Sequence, residues 1–188
     1  MKRQELEHIV RAAAGITGEK EFIVLGSQSI LGKFPDAPHS LRHSMEVDIY
    51  PREHPELAEL INGCLGEFSA FHTTFDYYAE AQRPRFFLAA GKIASCDFPM
   101  KTQTALSLTA SIPLISPNAK LAAGRPKDLD YVVELTRYHF IKPPALSSLV
   151  EEVEDSALKA AMTERWQVVQ AKKLALEKPS IRPPGMKR

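Results

Sequence analysis

The sequence predicts an α/β protein in which a mixed β-sheet is flanked by helices and followed by a helical C-terminal part. Short strand-like runs bounded by turn residues, such as residues 22–25 and 45–50, alternate with segments whose apolar residues recur every three or four positions. Between residues 127 and 176 only helical periodicity remains. A hydrophobic content of 44% and a charged content of 25% are ordinary, which excludes a wholly disordered chain and a membrane class.

Charge and cysteine content indicate which partners and which cellular compartment to expect. A formal net charge of +1 gives no global field for nucleic acid, so any such contact needs a local patch. The two cysteines, Cys64 and Cys96, lack CxxC spacing, and the first residues form a charged, helix-like segment rather than an apolar signal core. No apolar run approaches the roughly 20 residues that a membrane-spanning helix needs. We therefore expect a cytoplasmic protein with no membrane partner.

The N-terminal half alternates helices and strands. Leu6, Ile9, Val10 and Ala13 recur at helical spacing, and the wholly apolar run 22–25 is typical of a central strand. The predicted elements are a helix over 2–14, a strand over 22–25, a short helix around Ile30 and Leu31, an exposed loop over 33–44, a strand over 45–50 and a helix over 54–65 with Cys64 on its apolar face.

The remaining chain is predicted with less regular strands. Residues 68–80 are rich in aromatics without a clean period, so we expect mixed loop and helix there. Strands are predicted over 85–89, 93–98 and 106–115, and helices over 118–123, 127–139, 146–153 and 156–176. These elements suggest three parts: a domain over 1–142, a helical extension over 143–177 and a disordered basic tail over 178–188.

The residues that suggest chemistry lie between Phe22 and Tyr50. Gly26 and Ser27 follow the first strand and precede a helix, so their backbone and hydroxyl could approach a phosphate. Glu46 and Asp48 are two residues apart on a strand, which places both carboxylates on one face. Such a pair can share divalent metal ions, Mg²⁺ or Mn²⁺, that neutralise charge in phosphoryl transfer.

Leu25-Gly26-Ser27 followed by Glu46-Val47-Asp48 resembles the Gly-Ser and paired-acid signature of the nucleotidyltransferase superfamily, the DNA polymerase beta-like fold. Together with Gly124-Arg125-Pro126-Lys127-Asp128, the motifs resemble a bacterial family of small nucleotidyltransferase-like proteins of the DUF6036 type. That family is related to the nucleotidyltransferase toxins of abortive-infection toxin–antitoxin systems. The resemblance covers roughly residues 20 to 140.

The resemblance implies an activity, a metal and partners. It implies transfer of a nucleoside monophosphate from a nucleoside triphosphate to a hydroxyl of RNA, such as tRNA, or of protein, with an antitoxin as a further partner. Glu46 and Asp48 would be the catalytic metal ligands. Gly26, Ser27, Lys120 and Arg125 would bind the nucleotide, with Lys120 on the triphosphate. Asp128 near a helix start could instead cap its own helix.

The chain departs from the superfamily pattern in three places. The spacer from Gly-Ser to the acids is longer than usual, and the first acid is Glu rather than Asp. Active members usually supply a third carboxylate from a later strand. Asp97 is the nearest candidate by order, and Asp76 lies in the irregular aromatic region. Without a third acid, activation of an attacking hydroxyl would be compromised.

Other interpretations use the same segments. His39 and His43 with the acid pair would suit a hydrolase metal site, but this segment has Pro38 and no apolar face, so no helix is predicted that would align the two histidines. A catalytically degenerate fold could bind nucleotide, RNA or protein through the basic tail and through Arg83, Arg85 and Lys92. The aromatics between Phe68 and Tyr78 could stack a base, although core packing is their commoner use.

Overall fold

The computed structural model describes residues 1–81, 95–99, 107–111 and 115–177, with side chains described for 1–81 and 117–177. The strands are β1 (Glu21–Leu25), β2 (Glu46–Pro51), β3 (Tyr78–Glu80), β4 (Ser95–Pro99) and β5 (Ser107–Ser111). The helices are α1 (Arg3–Thr17), α2 (Ile30–Lys33), α3 (Ala58–Leu65), α4 (Ala70–Phe75), α5 (Ile115–Ala123), α6 (Pro126–Arg137), α7 (Pro143–Glu151) and α8 (Ser156–Glu177). Short 3-10 turns cover Ser27–Ser29, His39–Leu41 and Pro55–Leu57. The predicted strand over 85–89 and the tail over 178–188 lie outside the described residues.

The five strands form one mixed sheet in the order β3-β2-β1-β5-β4. β1 is central, pairing antiparallel with β2 and parallel with β5. β3 runs parallel to β2, and β4 runs antiparallel to β5. The predicted class, a mixed sheet flanked by helices with a helical C-terminal part, is confirmed.

The described residues group into two compact units, Met1–Ser116 and Pro117–Arg188. In the first unit, the apolar stripe of α1 that the sequence predicted is fully buried. Gly18 ends α1 with a φ of +77°, a left-handed conformation that glycine adopts without steric cost. β1 is buried from Phe22 to Leu25, as expected for a strand with neighbours on both edges.

The second unit contains α6, α7, α8 and most of α5. The indole N–H of Trp166 on α8 donates to the Ser147 hydroxyl on α7 at 3.1 Å, and the Trp166 side chain is buried between elements of this unit. The guanidinium of Arg165 donates to the carbonyls of Leu121 and Ala122 at 2.7 and 2.6 Å, which satisfies the C-terminal end of α5. No helix in the described part of the chain has the length and apolar character required to cross a membrane.

Two details of the predicted helices are wrong. Cys64 is exposed, not in the core, because the buried face of α3 is formed by Ala58, Ile61 and Leu65. The 146–153 helix begins earlier, at Pro143. Proline is favoured at the start of a helix, where its missing N–H has no intrahelical partner to lose.

Candidate functional site

Strands β2 and β3 bring three carboxylates together. Glu46 and Asp48 lie on the same face of β2, as the two-residue spacing predicted. The parallel register pairs Asp48 with Glu80 and Glu46 with Tyr78. One carboxylate oxygen from each of Glu46, Asp48 and Glu80 lies within 4.8 Å of the others. We call these three residues the acid trio.

Alternating burial fixes the direction in which the trio points. On β2, Val47 and Ile49 are buried while Glu46 and Asp48 are half-buried. On β3, Ala79 is buried between two half-buried neighbours. Since the apolar residues of both strands occupy the core face, the three acids share the opposite face.

The Gly26 turn lies directly against the trio. Leu25 pairs with Asp48 in the antiparallel register, so the residue after β1 emerges beside that carboxylate. Gly26 has a φ of +65°, and a Cβ at this position would overlap the Asp48 carboxylate. The Ser29 hydroxyl donates to the Gly26 carbonyl at 2.7 Å and holds the turn. The backbone conformation therefore favours glycine, and any side chain here would displace the Asp48 carboxylate.

The trio is electrostatically crowded. The pKa of Glu46 is raised to about 7, first by burial, then by a hydrogen bond with Glu80 and by the negative charges of Asp48 and Glu80. The Tyr78 hydroxyl donates to the Glu46 carboxylate at 3.2 Å and opposes that shift. Burial and the nearby carboxylates in turn raise the pKa of Tyr78 to about 12.

The donor set fits a hard divalent cation. Mg²⁺ and Mn²⁺ take oxygen ligands, and carboxylates are the side chains that supply them with charge. A cation among the three acids would offset the repulsion that raises the pKa of Glu46. The residues that could hold it are Glu46, Asp48 and Glu80.

Glu80 is the residue that sequence reasoning missed. It lies in the aromatic-rich stretch expected to be loop and helix, whereas the structure has α4 and then the three-residue strand β3. Three residues are too few to establish a period, and only the pattern Tyr78-Ala79-Glu80, an apolar residue between two polar-tipped ones, resembles the Glu46-Val47-Asp48 pattern on β2.

Asp76 and Asp97, the two candidates that the sequence offered for a third carboxylate, lie elsewhere in the fold. Asp76 is the left-handed C-cap residue of α4 and does not belong to the trio. The backbone of Asp97 is on β4, which β1 and β5 separate from β2. That separation is three strand spacings, roughly 14 Å. The Asp97 side chain lies outside the described residues.

Lys120 and Arg125 belong to the second unit, where both bind Asp128. The Lys120 ammonium donates to one Asp128 oxygen at 3.2 Å, and the Arg125 guanidinium donates to the other at 2.7 Å. The Asp128 side chain is only 3% exposed. Burial by itself would raise the pKa of Asp128, but the two cations outweigh it and hold the pKa below its usual range. Lys120 also lies 4.6 Å from the centroid of the Tyr131 ring.

The histidines of the hydrolase interpretation contact each other. The rings of His39 and His43 meet edge to face with centroids 4.7 Å apart. Within the described residues, the cluster of three or more histidine, cysteine or acidic side chains that could share a metal ion is the acid trio, which contains neither histidine.

Comparisons with protein-family models, with curated proteins and with solved structures give no match.

Proposed function

We propose that the protein is a metal-dependent nucleotidyltransferase that transfers a nucleoside monophosphate from a nucleoside triphosphate to a hydroxyl of RNA or protein. The observation that carries the proposal is the acid trio itself: a third carboxylate, Glu80, converges with Glu46 and Asp48. The Gly26 turn adjoins the trio and has no space for a side chain. Acids that can hold divalent cations beside a glycine turn that a phosphate can approach suit phosphoryl transfer.

The trio would hold Mg²⁺ or Mn²⁺. When bound, the cation would offset negative charge on the triphosphate and on the attacking oxygen. Gly26 permits close approach of the phosphates to the backbone, and we assign to the Ser27 hydroxyl, at the start of the following 3-10 turn, a hydrogen bond to a phosphate oxygen.

The transfer step is a substitution at the α-phosphorus. The acceptor oxygen forms a bond to the α-phosphorus, the bond to the bridging oxygen breaks, and pyrophosphate leaves with the electron pair. We assign to the Glu80 carboxylate the proton lost by the acceptor hydroxyl, since Glu80 is the acid on the outer strand. In this proposal Glu80 takes the place of the third acid whose identity the sequence left open.

Lys120 and Arg125 remain candidates for the triphosphate by resemblance. Each already donates to the buried Asp128, so binding a phosphate would require the cation to share or leave that carboxylate. An antitoxin partner and a location in the reducing cytoplasm also belong to this proposal. Cys64, exposed and free of disulfide, is compatible with such a compartment.

The test combines metal binding and transfer. The wild-type protein should show a Mn²⁺-dependent thermal shift that nucleoside triphosphate increases, and should move radiolabel from an α-labelled triphosphate to tRNA or protein. Asp48→Asn and Glu80→Gln should each lower transfer on the order of 100-fold or more because each removes a charged ligand. Glu53→Gln, a change at an exposed carboxylate after β2, is the matched control and should behave as wild type.

The outcomes separate the alternatives. A thermal shift without transfer to any acceptor would favour the degenerate binding module. Absence of both shift and transfer in wild type would reject the metal site and the enzyme together.

A further inference from the structure

An aromatic row leads from the surface of the first unit to the acid trio. The Phe68 and His72 rings have centroids 6.4 Å apart, and those of His72 and Tyr78 are 4.6 Å apart. The row ends where the Tyr78 hydroxyl donates to Glu46. We call Phe68, His72 and Tyr78 the aromatic row.

Phe68 begins the row in an unusual state. Phe68 is 84% exposed, the highest fraction among the large exposed hydrophobic residues that the structure describes. Its φ is +64°, in the left-handed region that favours glycine and is strained for a bulky side chain. Packing does not explain a large ring that is both strained and in water, and such strain is concentrated at functional sites.

Hydrogen bonds hold the strained turn in place. The Phe68 N–H donates to His72 Nδ1 at 3.1 Å, and the His72 N–H donates to the Ser69 hydroxyl at 3.1 Å. Because Nδ1 accepts, the ring proton of His72 lies on Nε2. The turn therefore holds the His72 ring and the backbone of Phe68 in place, with the Phe68 side chain directed into solvent.

The surroundings select an uncharged, flat ligand. Glu46, Glu67 and Glu80 all lie close enough to Tyr78 to disfavour its ionisation. Glu67, the residue next to Phe68 that does not belong to the trio, would repel a phosphate, whereas an aromatic ring of a ligand can stack on a phenyl face, a contact that nucleic-acid-binding proteins use for bases.

We propose that Phe68, supported by His72, is a stacking platform for a nucleobase of the substrate whose phosphates are bound at the acid trio. The inference rests on the proposed function, since the trio sets where the phosphates lie. The nucleobase comes from one of two sources, the incoming nucleoside triphosphate or the acceptor RNA, and stacking on Phe68 has the same chemistry for both.

Three probes separate phosphate binding from base binding. Dissociation constants are measured by calorimetry, in Mn²⁺, for ATP, for inorganic tripolyphosphate, which has no base, and for a short single-stranded polyadenylate. Phe68→Ala should weaken either ATP or polyadenylate about 10-fold, the usual size of one lost base stack. Tripolyphosphate binding should be unchanged. The control is Leu174→Ala, which shortens an exposed apolar side chain on α8 and should change none of the three.

Two further variants distinguish a loss of base stacking from misfolding and detect the contact between residue 68 and the base directly. Phe68→Gly suits the left-handed backbone, so it should fold at least as stably as wild type while losing base affinity as Phe68→Ala does. Phe68→Trp should retain affinity. Since the chain has one other tryptophan, Trp166, which is buried, the new indole should dominate quenching by the bound base.

The outcomes distinguish the two proposals. If tripolyphosphate binds but neither ATP nor polyadenylate weakens in Phe68→Ala or Phe68→Gly, the stacking inference is overturned and the proposed function stands. If tripolyphosphate and ATP both fail to bind wild type in Mn²⁺, the proposed function fails and the inference is rejected with it. A loss confined to ATP assigns the base to the nucleotide, and a loss confined to polyadenylate assigns it to the acceptor.

Discussion

Two buried or half-buried carboxylate clusters in this protein have opposite electrostatics. In the first unit, Glu46 lies among other acids, and its pKa is raised to about 7. In the second unit, Asp128 lies between Lys120 and Arg125, and its pKa is lowered. Burial disfavours the ionised form in both places, so the sign of the difference comes from the neighbours.

The Asp128 cluster has the features of a structural ion pair, whereas the acid trio has those of a candidate functional site. The counterions of Asp128 are Lys120 on α5 and Arg125 at the start of α6. Folding of the second unit therefore neutralises the buried carboxylate without a ligand. The acid trio gathers like charges on adjacent strands, which costs stability unless a cation binds. Charged groups whose arrangement lowers the stability of the fold are more informative about function than charged groups whose arrangement raises it.

The largest effect on stability is expected at Asp128. Asp128→Ala removes the acceptor of both cations and should lower the free energy of unfolding by about 3 kcal/mol, measured by urea denaturation. Asp130→Ala is the control, because its ion pair with Lys172 at 2.7 Å is exposed on both sides and should contribute less than about 0.5 kcal/mol. Equal losses in the two variants would show that the Asp128 cluster is not a structural anchor.

A smaller effect is expected at Gly26. Gly26→Ala adds left-handed strain and forces the Asp48 carboxylate to move, so it should cost about 2 kcal/mol and abolish Mn²⁺ binding. Gly18→Ala is the matched control: φ is also positive, at +77°, but a Cβ there has open space, so it should cost about 1 kcal/mol and leave Mn²⁺ binding intact. Retained Mn²⁺ affinity in Gly26→Ala would show that the Gly26 turn does not influence metal binding by the trio.

The smallest effect is a pH dependence of the trio. Since the pKa of Glu46 rises from 4.5 to about 7 on folding, the folded state binds more protons, and stability is lost as pH rises through that window. Glu46→Gln removes this loss. In chelator, the variant should melt higher than wild type at pH 8, and the two should converge at pH 4.5 or below. Mn²⁺ should raise the melting temperature of wild type only.

A difference between the two proteins that does not change with pH would contradict the assignment of the shift to Glu46. It would instead indicate that the substitution alters packing around β2.

Much of the fold followed from local patterns. The period of α1, the apolar run of β1 and the Gly26-Ser27 turn are confirmed at nearly the predicted residues, since each depends on neighbours along the chain. The second unit begins at Pro117, earlier than the predicted boundary after 142. Helical periodicity alone does not reveal which helices pack together.

The candidate site was half predictable. Glu46 and Asp48 share a face because two residues of a strand always do, whatever surrounds them. Glu80 could not be found in this way, since its place beside Asp48 depends on the pairing of β2 with a three-residue strand more than 30 positions downstream. The roles of Lys120 and Arg125 likewise depended on a partner, Asp128, that sequence order did not single out as buried.

The sequence by itself therefore determined the acid pair from Glu46 to Asp48 and the glycine before it, because strand alternation and glycine's backbone freedom are local properties. The tertiary structure alone decided the rest. It added Glu80 through strand pairing, exposed Phe68 at the end of an aromatic row, and placed Lys120 and Arg125 on a buried aspartate. Those arrangements depend on contacts between segments far apart in the chain, which no periodicity encodes.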